Sequence, residues 1–342
     1  MRRILPRRLG LLAGAALLLV LPHALPAYYL VLACSALALA IACLGLNLLL
    51  GTTGLLSLGH AAYFGLGAYA GGFLYTFLDI QSLEVFLLAG VATAGAVAAL
   101  LGGLCVQATR IHFTILTLAS AQIVHALFMA GIVFRAAGGV GRGLFLLGGG
   151  GLYIPLLSVA GRLPPPEAAI PLLYYVTALA FAGSAGLLWR IRRSPFGMAL
   201  QATRDNPTRA LMLGIPVRRY RWYAFILSGC FTGLAGGLTG QLDRQVTPEQ
   251  LYWIFSAKLV LATVLGGFGY FLGPAAGAIV LVALQEAALR LTEHWSLVLG
   301  ALLILITWAA PEGLLGLGVR LLGHAPAPEP RWDRRPPPGR HG

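Results

Sequence analysis

The sequence predicts an all-α polytopic integral membrane protein, and three observations carry that prediction. Of the 342 residues, 58% are hydrophobic and only 10% are charged, where soluble domains carry about 25% charged residues. Mean hydropathy is +0.82. The apolar residues also gather in runs close to the roughly 20 residues a helix needs to cross the hydrocarbon core, with basic or Pro/Gly-rich breaks between them.

These runs lie near 9–26, 28–50, 54–78, 84–107, 111–134, 169–189, 222–241, 251–271, 273–291 and 295–311, giving about ten candidate spans. The first follows Arg2, Arg3, Arg7 and Arg8 and is interrupted by Pro22 and Pro26. A cleaved signal peptide has the same pattern, but the run continues almost directly into the next, which favours an uncleaved first span. Runs 54–78, 251–271 and 273–291 are broken by glycine, and one of them is a candidate re-entrant segment. The four cysteines (34, 43, 105 and 230) sit inside apolar runs without paired or metal-ligand spacing, and read as small buried residues.

Charge orients the chain. Net charge is +13, almost all from arginine, with Lys258 the only lysine. In a soluble protein this balance would point to nucleic acid. Here the basic residues lie between apolar runs, so the expected neighbour is lipid and no nucleic-acid partner is predicted. With ten spans, the arginines near the N-terminus, at 110, at 190–193, at 204–221 and in the tail share one side, whereas Asp79, Glu84, Glu167, Asp243, Glu249 and Glu293 collect on the other. The positive-inside rule then places both termini in the cytoplasm. Residues 1–322 read as a single transmembrane domain. Residues 136–168 form an outer loop, Gly-rich and then Pro-rich, that suits either a docking collar or a linker. Residues 323–342, rich in Pro and Arg, read as a disordered cytoplasmic tail.

Leu46–Gly72 organises the rest. Seven glycines from Gly51 to Gly72 are interleaved with Asn47, Thr52, Thr53, Ser57 and His60. Irregular backbone at membrane depth is tolerated only where protein buries it or it lines a watery cavity, and small residues let helices approach closely. Two readings stay open: a tight packing face, or the lining of a translocation path by Asn47, Gly54, Ser57, Gly59, His60, Gly65, Gly67 and Tyr69. His60 is read as a packed, hydrogen-bonded histidine rather than a proton relay. Gly266, Gly267 and Gly269, ahead of Gly273-Pro274, predict a tight turn and a second wall for the same path.

Residues 190–221 carry two short helices. Ser194-Pro195 and Asn206-Pro207 each read as an N-cap followed by proline at the first helical position. Gly214 stops the second helix. Phe196, Ala199, Leu200 and Thr203 fall on one side of the first. The segment suits an interfacial helix on anionic lipid or a docking element for a cytosolic partner. Of the ionisable groups within spans, Lys258 is placed to snorkel and Glu286 to pair with Arg290 at i,i+4. No G-x-x-x-x-G-K-[ST] loop is present, so this chain is not its own ATPase. With no metal-ligand spacing and no nucleophile–base–acid set, no enzyme, cofactor or metal site is predicted.

The stretch GLLSLGHAAYFGLGAYA (Gly54–Ala70) resembles the glycine-rich signature of the LivM-type permeases, membrane subunits of ATP-binding cassette (ABC) importers for branched-chain amino acids. The resemblance continues in RDNPTRALMLGI (Arg204–Ile215), RYRWYAFILSGCFTGLAGGL (Arg219–Leu238), VLGGFGYFLGPAAGA (Val264–Ala278) and PEGLLGLG (Pro311–Gly318). It implies an inner-membrane importer subunit with a LivH-like second permease, two cytosolic ATPase subunits that bind the ATP, and a periplasmic substrate-binding protein. It also implies a coupling loop at 190–221, with Leu200, Arg204, Asp205, Arg209, Ala210, Leu211 and Gly214 as candidate contacts to the ATPase; the full Glu-Ala-Ala form of the wider importer motif is absent. Relatives in this family handle urea, short amides or aromatic acids as well. The rival reading from the residues is a secondary transporter that binds solute at Gly-broken midplane helices and needs no ATPase.

Overall fold

The computed structural model describes residues 22, 26–108, 111–131, 151–155, 158, 164–291, 294–309 and 313–321. The expected first span (9–26) falls outside the described residues except at 22 and 26, as do most of the 136–168 loop and all of the 323–342 tail.

The described chain is built of helices: α1 (Ala27–Asn47), a π segment (Leu48–Thr53), α2 (His60–Leu78), α3 (Leu83–Cys105), α4 (Ile111–Met129), α5 (Pro166–Arg193), α6 (Pro195–Asp205), α7 (Pro207–Met212), α8 (Val217–Asp243), α9 (Trp253–Gly266), α10 (Gly273–Leu291), α11 (Trp295–Ala309) and α12 (Gly313–Leu321). Two short strands, β1 (Leu152–Tyr153) and β2 (Gln245–Val246), pair antiparallel, Leu152 opposite Val246. β1 thus ties part of the expected outer loop to the end of α8.

Six segments are long and apolar enough to cross a membrane: Ala27–Thr53, Leu83–Cys105, Ile111–Met129, Glu167–Arg193, Val217–Asp243 and Gly273–Leu291. Each coincides with an expected span. The others differ from expectation for local reasons. The 54–78 run is helical only from His60, because Gly54–Gly59 leave the helix. The 251–271 run yields only α9, 14 residues long, since Gly267 adopts φ 98 and ends it. The 295–311 run gives the 15-residue α11. Helix α12 was not expected from the sequence at all; glycines at 313, 316 and 318 hid its apolar spacing.

The core forms around α1 and α8. Helix α1 is buried along almost its whole second half, from Ala36 to Asn47, and touches α8, α10, α5 and α9. Its small residues (Ala36, Ala38, Ala40, Ala42, Cys43) let four neighbours come close. Helix α8 does the same against α1, α2 and α3. A Cβ on Gly236 would overlap the carbonyl of Phe64, so α8 and α2 meet backbone to backbone. All four cysteines are free, three of them buried.

Candidate functional site

The glycine-rich stretch begins where α1 changes pitch. Its last turn widens into the π segment, which ends at Gly54 with φ 72. Left-handed backbone of this kind suits glycine, and π segments frequently mark functional positions. Asn47 is buried, and its Oδ1 finds no hydrogen-bond partner among the described residues. It lies against Gly51, where a side chain would collide with it. An unpaired buried acceptor costs about 1–3 kcal/mol.

Leu56–Leu58 then run outside the helical ladder, and α4 supplies what they lack. Leu58 N–H donates to Thr117 Oγ1 at 3.2 Å, and Thr114 Oγ1 donates to the Leu56 carbonyl at 2.8 Å. Irregular backbone survives here because neighbouring side chains satisfy it.

His60 opens α2 and is fully buried. Its Nε2 lies 2.7 Å from Ser228 Oγ, and its Nδ1 lies 3.1 Å from Ser57 Oγ. Ser228 spends its own proton on the Gly45 carbonyl at 2.6 Å. Ser228 therefore accepts from Nε2–H, and Ser57 donates to Nδ1. The result is a one-way chain, Ser57 to His60 to Ser228 to the carbonyl of Gly45, that uses a neutral ring with both nitrogens occupied. Tyr63 and Phe225 close the ring edge-on. Next to it, Ala61 N–H, one of the orphan donors of a helix start, donates to Ser256 Oγ at 2.7 Å. His60 thus stitches α2, α8 and α1 together, and the packed-histidine expectation describes its geometry.

Further along α2, a Cβ at Gly67 would overlap the Gly233 carbonyl, and one at Gly65 would lie 2.5 Å from the Leu251 side chain. A Cβ on Gly59 would press on the Thr117 carbonyl at 2.9 Å. Tyr69 is fully buried, its ring 4.5 Å from that of Phe128. Of the two open readings of this stretch, Gly59, Gly65, Gly67 and Tyr69 follow the close-packing one within the chain. A neighbour from α4, α8 or the turn before α9 lies against each of them. In the second stretch Gly266 meets the Gly273 carbonyl, Gly267 lies against Gly313, and only Gly269 opens onto free space.

The expected cytoplasmic segment narrows to 194–216, since α5 continues through Arg193 and α8 starts at Val217. Both caps form. Ser194 Oγ accepts from Gly197 N–H at 3.3 Å, and Asn206 Oδ1 accepts from Arg209 N–H at 2.9 Å. Gly214 takes φ 81, and Ile215 N–H reaches back to the Ala210 carbonyl at 3.0 Å, closing α7 in a Schellman turn.

The two helices sit differently. Leu200 and Thr203 of α6 are fully buried in the body of the chain, where α6 touches α5, α8 and the π segment. Three arginines fasten this end. Arg204 Nη1 donates to the Gly51 carbonyl and its methylenes cover Gly54; Arg221 Nη2 donates to the Thr203 carbonyl at 3.4 Å; Arg192 Nη2 donates to the Gly269 carbonyl at 3.4 Å. Cations at these carbonyl-rich helix ends are favourable. On α7 only Ala210 is buried, while Leu211, Met212 and Leu213 are 57%, 83% and 73% exposed. Leu200 and Ala210, two of the candidate ATPase contacts, are buried within the chain. Leu211, Asp205, Arg209 and Gly214 stay outward. Met212 and Leu213 were missed, although three apolar residues in a row before a helix-ending glycine were the signal.

A family model described as the branched-chain amino acid transport system / permease component matches residues 28–307. The chain belongs to this permease family. The high-affinity branched-chain amino acid transport system permease protein LivM of Escherichia coli (strain K12) is 29% identical over 282 residues, covering 80% of this chain and 66% of that protein. The autoinducer 2 import system permease protein LsrC of Escherichia coli O9:H4 is 29% identical over 177 residues, 49% of this chain and 51% of that one. The high-affinity branched-chain amino acid transport system permease protein LivH of Salmonella typhimurium is 33% identical over 141 residues, 40% of this chain and 45% of that one. This permease thus spans about two thirds of the length of the LivM protein it matches. No solved structure matches it. The family match runs from α1 into α11, so it takes in the π segment, the His60 bridge and both short helices of this permease.

Proposed function

We propose that this chain is the membrane-spanning permease subunit of an ABC importer for branched-chain or related amino acids. The proposed assembly pairs it with a LivH-like permease, two cytosolic ATPases and a periplasmic binding protein, in the inner membrane with both termini cytoplasmic. The observation that carries the reading is the α6–α7 unit. It presents an exposed apolar tip on a capped helix, and it is joined through Arg204 to the π segment at the end of α1. A contact at Leu211–Leu213 is thereby mechanically continuous with the most central helix of the chain. ATP binding by the partners would move α7, and α6 would pass the motion to the π segment. Asp205, Arg209 and Gly214 frame this docking tip. Gly269, which has nothing within 4 Å of a Cβ, is the glycine left open to line a path, whereas Gly54 is covered by the Arg204 methylenes.

A second reading keeps the mechanism and changes the cargo, since LsrC, named for autoinducer 2 import, is also similar over about half the chain. Reconstitution of the chain with its ATPases and binding protein tests both. Uptake of labelled leucine with leucine-stimulated ATP hydrolysis is expected. Uptake that needs an ion gradient and no ATPase would overturn the importer reading in favour of a secondary transporter.

A further inference from the structure

At the opposite end from α6 and α7 lies a cleft of about 270 Å³ between α1, α2, α8, α9 and α10. That is near the lower edge of the ~300–1,000 Å³ usual for small-molecule pockets, so it has room for one small solute. Its walls are apolar, with Leu39, Phe64, Phe255 and Val282 among them. Its charged and amide groups are Asp243 of α8, Gln250 of the turn before α9, Lys258 of α9, and Gln285 and Glu286 of α10.

Two of these charges have no ionic partner. The ion pair among the described residues is Arg290–Glu286, at 2.7 Å, and Glu286 also accepts from Tyr28, so its charge is already answered. Lys258, expected from its sequence position to snorkel, reaches α10. It is half-buried and donates to the neutral Gln285 Oε1 at 2.7 Å. Asp243 stands at the rim and makes neither a hydrogen bond nor an ion pair among the described residues. The buried Oε1 of Gln250 likewise has no partner among them. A cation on one wall, a carboxylate on the rim and an unpaired acceptor therefore face one apolar cleft without bonding to each other. Charges drawn out of water are costly until a partner satisfies them.

We propose that this cleft binds a zwitterionic α-amino acid with an apolar side chain. The carboxylate of the solute meets Lys258, its ammonium meets Asp243 and Gln250 Oε1, and its side chain lies against Phe64, Phe255, Leu39 and Val282. Lys258 and Asp243 then act as a two-point gauge that rejects solutes carrying only one of the two charges. As a step of transport, this rests on the amino-acid importer reading. As a binding site, it stands on the cleft itself.

The test is equilibrium binding of labelled L-leucine to the full-length chain in lipid nanodiscs. L-leucinol, which lacks the carboxylate, and 4-methylpentanoate, which lacks the ammonium, serve as competitors. L-leucine is expected to bind at least tenfold more tightly than either. Lys258→Met should weaken leucine at least tenfold and erase its advantage over leucinol. Asp243→Asn should erase its advantage over 4-methylpentanoate. Lys258→Arg, which keeps the charge, should retain most binding and shows that the fold tolerates substitution there. Absence of leucine binding to the wild-type chain, or affinities within twofold of wild type for both Lys258→Met and Asp243→Asn, overturns the cleft. Leucine uptake by the assembled importer that both variants leave unchanged also overturns the cleft while sparing the importer. Binding as expected with no ATP-driven uptake overturns the importer and spares the cleft.

Discussion

Helices α6 and α7 begin in the same way and come to rest in opposite ways. Each opens on a side-chain cap followed by proline, Ser194-Pro195 and Asn206-Pro207. Yet α6 buries Leu200 and Thr203 in the body of the permease, whereas α7 holds only Ala210 inward and leaves Leu211–Leu213 in the open. The difference teaches that capping chemistry fixes where a helix starts and says nothing about which partner covers its apolar face. One helix has its partner within the chain. The other leaves Leu211–Leu213 uncovered by the described residues.

Identical substitutions should separate the two most sharply. Leu200→Asp buries a carboxylate among α5, α8 and the π segment, and is expected to cost about 3–5 kcal/mol or to prevent folding. Leu211→Asp, on an exposed position, should stay within about 0.5 kcal/mol. Thermal unfolding in detergent measures both, and equal shifts would erase the distinction between the helices.

A smaller effect is expected at Gly214, where nothing lies within 4 Å and only φ 81 constrains the residue. Gly214→Val should cost about 1–3 kcal/mol locally, seen as lost amide protection at Ile215. Gly214→Asn, which tolerates left-handed backbone, should retain most of that protection. If Val behaves like Asn, the Schellman turn does not govern α7.

The caps themselves sharpen the comparison further. Asn206→Ala should cost about 1 kcal/mol and fray α7, which has little packing to hold it. Ser194→Ala should change the exchange of α6 amides less, because its cap is longer at 3.3 Å and burial of Leu200 keeps the helix in place. Hydrogen exchange of the two first turns decides this, and greater fraying of α6 would contradict it.

The smallest change in stability should come from replacing Leu211, Met212 and Leu213 together by serine, within about 0.5 kcal/mol for exposed sites. Under the proposed docking of α7, the same variant should lose capture of ATPase subunits, because a few side chains buried at the centre of a contact carry most of its energy. Undiminished capture would leave α7 as a lipid-surface helix.

Local chemistry was legible without coordinates. Apolar runs marked all six helices that, among the described residues, are long and apolar enough to cross a membrane, because crossing length is a property of one segment. The caps at Ser194 and Asn206, the stop at Gly214 and the Glu286–Arg290 pair were legible because each joins residues within four or five positions, where helix geometry alone sets the distance. Tertiary structure decided everything that joins distant residues. Ser228 finds His60 from 168 positions away, Arg204 reaches Gly51 across 153, and Lys258 turns to Gln285 across 27. It also decided that Leu200 faces in and Leu211 faces out, that Gly65 and Gly67 are filled by Leu251 and Gly233, and that Asp243 and Lys258 share one cleft. The physical reason is the same in each case. Sequence spacing sets the direction of a side chain along its own helix, but whether that direction meets lipid, water or another helix depends on how close the neighbours pack, and here glycine and alanine on α1, α2 and α8 let them pack until backbone meets backbone.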